Sequence, residues 1–162
     1  MAKVPALQFE KHLNNHGLQP VYVFEGEDEA LLSSCLWALK DALETEDMPG
    51  SMTTDLDKVE DPRDVFDELH TQPFMGMEGK RLVVVRDGKD FYSDHKEALQ
   101  NYLQAPSPAG ILALCCEKID RRYKAAKALS REGVVVDCSA IRWNEARNWV
   151  SSQAQKEGKR IT

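Results

Sequence analysis

A glycine followed by three carboxylates, Gly26-Glu27-Asp28-Glu29, comes one residue after the apolar run Val21-Tyr22-Val23-Phe24. Between a strand and a helix, that glycine stands where nucleotide-binding proteins bring a phosphate against helix N-terminal N–H groups. A P-loop requires G-x-x-x-x-G-K-[ST], with the lysine on the phosphates and the hydroxyl on magnesium. Here the first glycine is present, and the second glycine and the lysine are missing. Glu27, Asp28 and Glu29 also put negative charge where a triphosphate would lie. They suit the positive end of a helix themselves, by roughly 0.3–1 kcal/mol each. The turn is therefore expected to be filled by the protein's own acids, with no nucleotide cofactor.

Other side chains with chemical potential are scattered. Asp87 follows Val83-Val84-Val85-Arg86, where a metal-holding acid could sit. With no phosphate loop opposite, it reads as a turn residue or helix cap. His12 and His16 have the i, i+4 spacing of a helical metal pair, but no third ligand accompanies them. Gly17 also signals that the helix is ending, so both read as surface histidines. Ser33 and Ser34 lack a G-x-S-x-G elbow, and His70 and His95 have no evident nucleophile to serve. Cys35, Cys115, Cys116 and Cys138 show no C-x-x-C spacing and are expected to be buried, reduced thiols. No catalytic residue and no metal site is expected.

These residues must be positioned by alternating strands and helices. Val21 to Phe24, Leu82 to Val85, Ile111 to Cys116 and Val134 to Val136 are short, nearly continuous apolar runs, as in parallel strands covered on both faces. The polar, β-branched Met52-Thr53-Thr54-Asp55-Leu56 suits an edge strand. Leu32, Leu36, Leu39 and Leu43, widened by Cys35, predict a helix from Glu29 to Leu43. Asp61-Pro62 reads as an N-cap with proline at the first helical position, followed by a face of Val65, Phe66 and Leu69. Further helices are expected over 94–103 and 120–131, the latter with Tyr123, Ala126 and Leu129 inward. An opening helix is expected over 6–14. The alternation predicts a three-layer α/β sandwich with right-handed crossovers. Past Cys138, residues Trp143, Ala146, Trp149 and Val150 predict one more helix with little left to pack against, so the chain divides into 1–140 and the beginning of a second domain, 141–162.

Composition agrees with a globular protein. The 162 residues are 42% hydrophobic and 30% charged, with a net charge of −6. No apolar run approaches a membrane span and no signal peptide opens the chain, so a cytoplasmic location is expected. The charge is uneven: residues 1–80 carry 6 basic and 17 acidic side chains, residues 81–162 carry 15 and 10. An acidic total disfavours a non-specific nucleic-acid binder, but leaves room for a local basic face.

Two segments stand out as surfaces. In Gln72-Pro73-Phe74-Met75-Gly76-Met77-Glu78-Gly79, glycines and proline mark a loop, yet Phe74, Met75 and Met77 are large and apolar. Such a cluster either folds back as a plug or is kept for a partner. Lys118, Arg121, Arg122, Lys124, Lys127 and Arg131 form the second segment. It reads as a solvated face, or as a contact for phosphate backbone or an acidic partner.

The ordered set Val21-Tyr22-Val23-Phe24-Glu25-Gly26-Glu27-Asp28-Glu29-Ala30-Leu31-Leu32, Pro73-Phe74-Met75-Gly76, Lys80-Arg81-Leu82-Val83-Val84-Val85-Arg86, Glu117-Lys118-Ile119-Asp120-Arg121-Arg122, Gly133-Val134-Val135-Val136-Asp137-Cys138 and Lys156-Glu157-Gly158-Lys159-Arg160-Ile161 resembles the N-terminal part of the delta subunit of the bacterial DNA polymerase III clamp loader. The resemblance covers about Val21 to Thr162. It implies an AAA+-like, P-loop-NTPase-like parallel sheet with a degenerate nucleotide site, followed by the start of a helical lid. It implies no catalysis by this chain itself, although the family serves the DNA-directed DNA polymerase holoenzyme. The implied role is binding the sliding clamp, the polymerase III beta subunit, and stabilising its open form during DNA replication. The family's clamp contact corresponds by position to Pro73 and Phe74, with Met75 beside them. Pro73 departs from the leucine often found there, which leaves Pro73 and Met75 as alternatives for the second anchor. Other loader subunits join the full-length protein through a collar domain, and DNA is met through the assembled loader, with Arg121, Arg122, Lys124 and Lys127 as the candidate contact. Two other readings of the residues are a nucleotide-binding α/β enzyme with an unrecognised site and a DNA-binding module built on the basic helix 118–131.

Overall fold

The computed structural model describes residues 3–44, 51–72, 79–139 and 150–151. Among the described residues six strands are formed: β1 (Lys3–Pro5), β2 (Val21–Glu25), β3 (Met52–Leu56), β4 (Arg81–Val85), β5 (Gly110–Cys116) and β6 (Gly133–Asp137). Six α-helices connect them: α1 (Phe9–His16), α2 (Glu29–Leu43), α3 (Arg63–Leu69), α4 (Gly88–Asp94), α5 (Lys96–Gln104) and α6 (Lys124–Glu132). A short 3-10 turn, Ala6–Gln8, leads into α1. The strands lie in the order β1-β6-β2-β5-β4-β3 and every pairing is parallel. The polar strand β3 takes an edge, as its composition predicts.

The continuous apolar runs are explained by burial on both faces. Val21 and Val23, Val83 and Val85, and Leu112 and Leu114 point into a core shared with α3, α4, α5 and α6. Their neighbours Tyr22 and Phe24, Leu82 and Val84, and Ile111 and Ala113 point into a second core beneath α1 and α2. Each strand thus feeds two hydrophobic layers, the period-2 consequence of a sheet sandwiched between helices. Phe9 of α1 sets its ring edge-on to Tyr22 and Phe24, with centroids 5.5 and 5.3 Å away. The three-layer α/β architecture is the one expected, and α2 has the predicted bounds.

Several local expectations are corrected. The sequence around Lys3 carries no strand signal, yet Lys3, Val4 and Pro5 pair with Val135, Val136 and Asp137 of β6. The helix expected over 94–103 is α5, Lys96–Gln104, and a further helix that the sequence reading missed, α4, precedes it and buries Phe91 and Tyr92. Gly88 sits so close to β5 that a Cβ would lie 2.7 Å from the Cys115 carbonyl oxygen. The helix expected from Asp120 starts at Lys124, since the Asp120 carboxylate accepts from the Arg122 N–H at 3.0 Å and holds a turn there. Tyr123 then falls before the helix and is 37% exposed rather than inward. α3 starts one residue later than expected, at Arg63 with Pro62 as its N-cap residue, and Asp61 accepts from Arg63 N–H at 2.9 Å just ahead of it. The helix expected from Trp143 lies almost wholly outside the described residues; Val150 and Ser151 are helical. No helix among the described residues is long and apolar enough to cross a membrane.

Candidate functional site

The turn after β2 sits at the carboxyl ends of the strands, between β5 and β6, where a doubly wound sheet places its ligand. Gly26 has φ +149°, and a Cβ there would come within 2.1 Å of the Cys138 carbonyl carbon. Only glycine permits this approach, which packs the turn against the end of β6. The turn is tied on both sides: Gly26 N–H donates to Cys116 O at 2.9 Å and Asp28 N–H to Cys138 O at 3.1 Å. Asp28 is the N-cap of α2, its carboxylate accepting from Leu31 N–H at 3.0 Å. A free N–H that a phosphate would seek is therefore already taken by a carboxylate.

The cleft over this turn has a volume of about 360 Å³ and is lined by Glu27, Asp28, Glu29, Glu117 and Arg86, with Cys115 and Cys116 at its floor. Its single cation is committed elsewhere, because Arg86 forms a two-pronged pair with Asp55 at 2.9 and 2.8 Å. Asp55 is held below the usual carboxylate range chiefly by that guanidinium. A triphosphate would meet repulsion from the acids and no available counter-charge.

Beneath the cleft lies a polar group that the sequence reading missed. Glu25, the last residue of β2, is only 4% exposed. Its Oε1 accepts from Arg121 Nη2 at 2.9 Å and pairs with the Lys3 ammonium, and its Oε2 accepts from Ile119 N–H at 3.0 Å. Burial alone would raise its pKa, but Lys3, the Ile119 N–H and Arg121 together hold it below the usual glutamate value. Three parts of the chain, β1, β2 and the loop after β5, meet on this one carboxylate. The available signal was topological: adjacent parallel strands β2 and β5 bring Glu25 and the residues after Cys116 to the same end of the sheet.

The basic segment is partly neutralised. Arg121 belongs to Glu25, and Arg122 grips Asp120 with contacts of 2.6 to 3.1 Å, which takes the Asp120 pKa down to about 2. Lys124 and Lys127 are exposed on α6. Lys89 and Lys118 line, with Arg121, a neighbouring cleft of about 560 Å³. Lys96 stands 4.0 Å from the centre of the Tyr123 ring.

Pro73, Phe74 and Met75 lie outside the described residues. Their flanks are placed: α3 ends at Leu69 and β4 begins at Arg81, whose guanidinium pairs with Glu68 at 2.9 Å. Both flanks lie at the amino end of β4, the opposite end of the parallel sheet from the Gly26 turn.

The remaining candidates are structural. Asp87 is the N-cap residue of α4, and His70 contacts Phe66 O at 2.7 Å and sets its ring against Tyr102. All four cysteines are buried free thiols, as their spacing predicts. Burial pushes Cys115 and Cys116 up to about 12, and a sulfur hydrogen bond with Cys138 raises Cys35. Among the described residues, no group of three or more His, Cys, Asp or Glu side chains is arranged to hold a metal ion.

A parallel α/β sandwich of the nucleotide-binding type, with its phosphate turn occupied by its own carboxylates, is the class these features define. The DNA polymerase III, delta subunit family matches residues 22–139, and the chain belongs to that family. It is 26% identical, over 93% of its length, to DNA polymerase III subunit delta of Bacillus subtilis (strain 168). In three dimensions it is similar to the Bacillus subtilis DNA clamp loader delta protein (YqeN), with a TM-score of 0.72, 25% identity and 97% of this chain covered. The chain spans 46% and 49% of these two relatives, about half of their length.

Proposed function

We propose that this chain is the clamp-contacting part of a clamp-loader delta subunit acting in DNA replication, without catalysis of its own. The observation that carries this reading is the family match over residues 22–139. The carboxylate-filled turn at Gly26 supports it, since a subunit that leaves ATP hydrolysis to others has no need of a phosphate site. Phe74, with Pro73 or Met75 beside it, enters a hydrophobic pocket on the sliding clamp. Burying one phenylalanine is worth roughly 1.5–3 kcal/mol, enough to dominate a modest affinity. Residues 141–162 begin the helical lid, and the other loader subunits attach through parts of the full-length protein beyond this domain. Lys124 and Lys127, with Arg121 and Arg122 behind them, offer a second contact to an acidic surface or to DNA held by the assembled loader.

Opening the ring requires no chemistry in this chain. A protein that binds the open clamp more tightly than the closed one shifts the population toward the open form, and equal affinity for both shifts nothing. The test is to titrate this chain against an intact clamp ring and against a clamp with one disrupted interface. The opened clamp is expected to bind at least about tenfold tighter. Equal affinities would remove the opening mechanism.

A further inference from the structure

The segment proposed to meet the clamp is carried between two described ends, and both are held by more than chain continuity. On the entering side, His70 N–H donates to Phe66 O and Thr71 N–H to Glu68 O, each at 3.1 Å. The Thr71 hydroxyl donates to Asp67 O at 3.0 Å. Leu69 is fully buried, and a Cβ on Gly110 would come within 2.7 Å of its carbonyl oxygen. The end of α3 is thus pressed against the first residue of β5.

On the leaving side, Lys80 N–H donates to Ser51 Oγ at 3.0 Å, and its carbonyl accepts from Met52 N–H at 3.0 Å. Its ammonium donates to Pro108 O at 3.2 Å, and Arg81 N–H donates to Ala109 O at 2.7 Å. The exit is therefore tied both to β3 and to the approach to β5.

One side-chain cluster joins the two sides. Glu68 Oε1 accepts from Arg81 Nη1 at 2.9 Å and from Thr54 Oγ1 at 3.0 Å. Glu68 is the penultimate residue of α3 and Arg81 the first of β4, so the ion pair closes the base of everything between them. Its side chains are 31% and 15% exposed, half shielded from solvent. Such a pair adds little to global stability, yet it fixes one chain end against the other. Holding the ends of a binding segment removes freedom that association would otherwise have to remove.

We propose that Glu68 and Arg81, with Thr54 donating to the same oxygen, are positioning residues for clamp binding. They set the two ends of the segment that carries Phe74 and so lower the ordering cost of the contact. This rests on the clamp reading given above.

The test is an equilibrium titration of this chain, Glu68→Ala, Glu68→Gln and Asp28→Ala against the sliding clamp, with thermal midpoints recorded for each. Glu68→Ala is expected to weaken binding about threefold to tenfold, the scale of ordering a side chain or two on association. Glu68→Gln keeps an oxygen to which Thr54 and Arg81 both donate, so it should stay within about twofold of the parent. Asp28→Ala removes the α2 cap at the opposite end of the sheet. It should lower the midpoint at least as far as Glu68→Ala and leave the affinity unchanged. A loss of affinity confined to Glu68→Ala reports positioning and not stability. Equal affinities of Glu68→Ala and the parent, or an equal loss in Asp28→Ala, would overturn the inference while the clamp reading stands. Absence of saturable binding by the parent would overturn both.

Discussion

Glu25 shows how one carboxylate can organise the end of a sheet. A buried, ionised glutamate is costly unless its lone pairs are filled, and here Lys3, Arg121 and the Ile119 N–H fill them. Lys3 and Arg121 are each about one-third exposed, so the network ranks between a surface pair and a fully buried one. Glu25→Ala is expected to cost about 2 kcal/mol, measured by denaturant unfolding. The folded-state pKa of Glu25 is depressed, so its contribution is present above the ordinary glutamate value of 4.5 and is lost as pH falls below it. Stability of the parent chain should therefore drop more steeply below pH 4.5 than that of Glu25→Ala. Parallel acid-unfolding curves for the two would contradict this role. Little of it was legible from sequence, because two of the three partners lie 94 and 96 residues away and meet Glu25 only through strand order.

At the scale of elements, the phosphate turn is held by backbone geometry rather than by side chains. Gly26→Ala would drive a Cβ into the Cys138 carbonyl at a left-handed φ, displacing the junction between the turn and β6. A loss of about 3 kcal/mol or more is expected in thermal or denaturant unfolding, and a near-neutral result would mean that the turn is free to move. The elements that sequence reading placed well are those whose signal is local: the apolar strands, α2 with its leucine stripe, and the buried face of α3. The ones it missed depend on tertiary contacts. β1 is three residues with a proline and forms only because β6 offers an edge. α4, which buries Phe91 and Tyr92, lies ahead of the span that the sequence reading assigned to a helix. The carboxylates of the Gly26 turn were legible because helix N-termini attract acids wherever they occur, and Asp28 does what its position predicts.

The whole molecule separates its chemistry between two ends of one parallel sheet. At the carboxyl ends of the strands lie the acids of the Gly26 turn, a capping aspartate and the Glu25 network. At the amino end of β4 lie the flanks of the segment that carries Pro73, Phe74 and Met75, the anchors proposed for the clamp. The sheet joins the two ends, with β2, β4 and β5 buried on both faces. The two relatives compared are each about twice as long as this chain. The most direct measurement is an equilibrium titration of this chain and of Phe74→Ala against the sliding clamp of the same organism, with thermal midpoints recorded for both. The account predicts saturable binding, a loss of at least about tenfold in the variant, and nearly unchanged midpoints. Equal affinities, or a large fall in the variant's midpoint, would show that Phe74 is not the residue that grips the clamp.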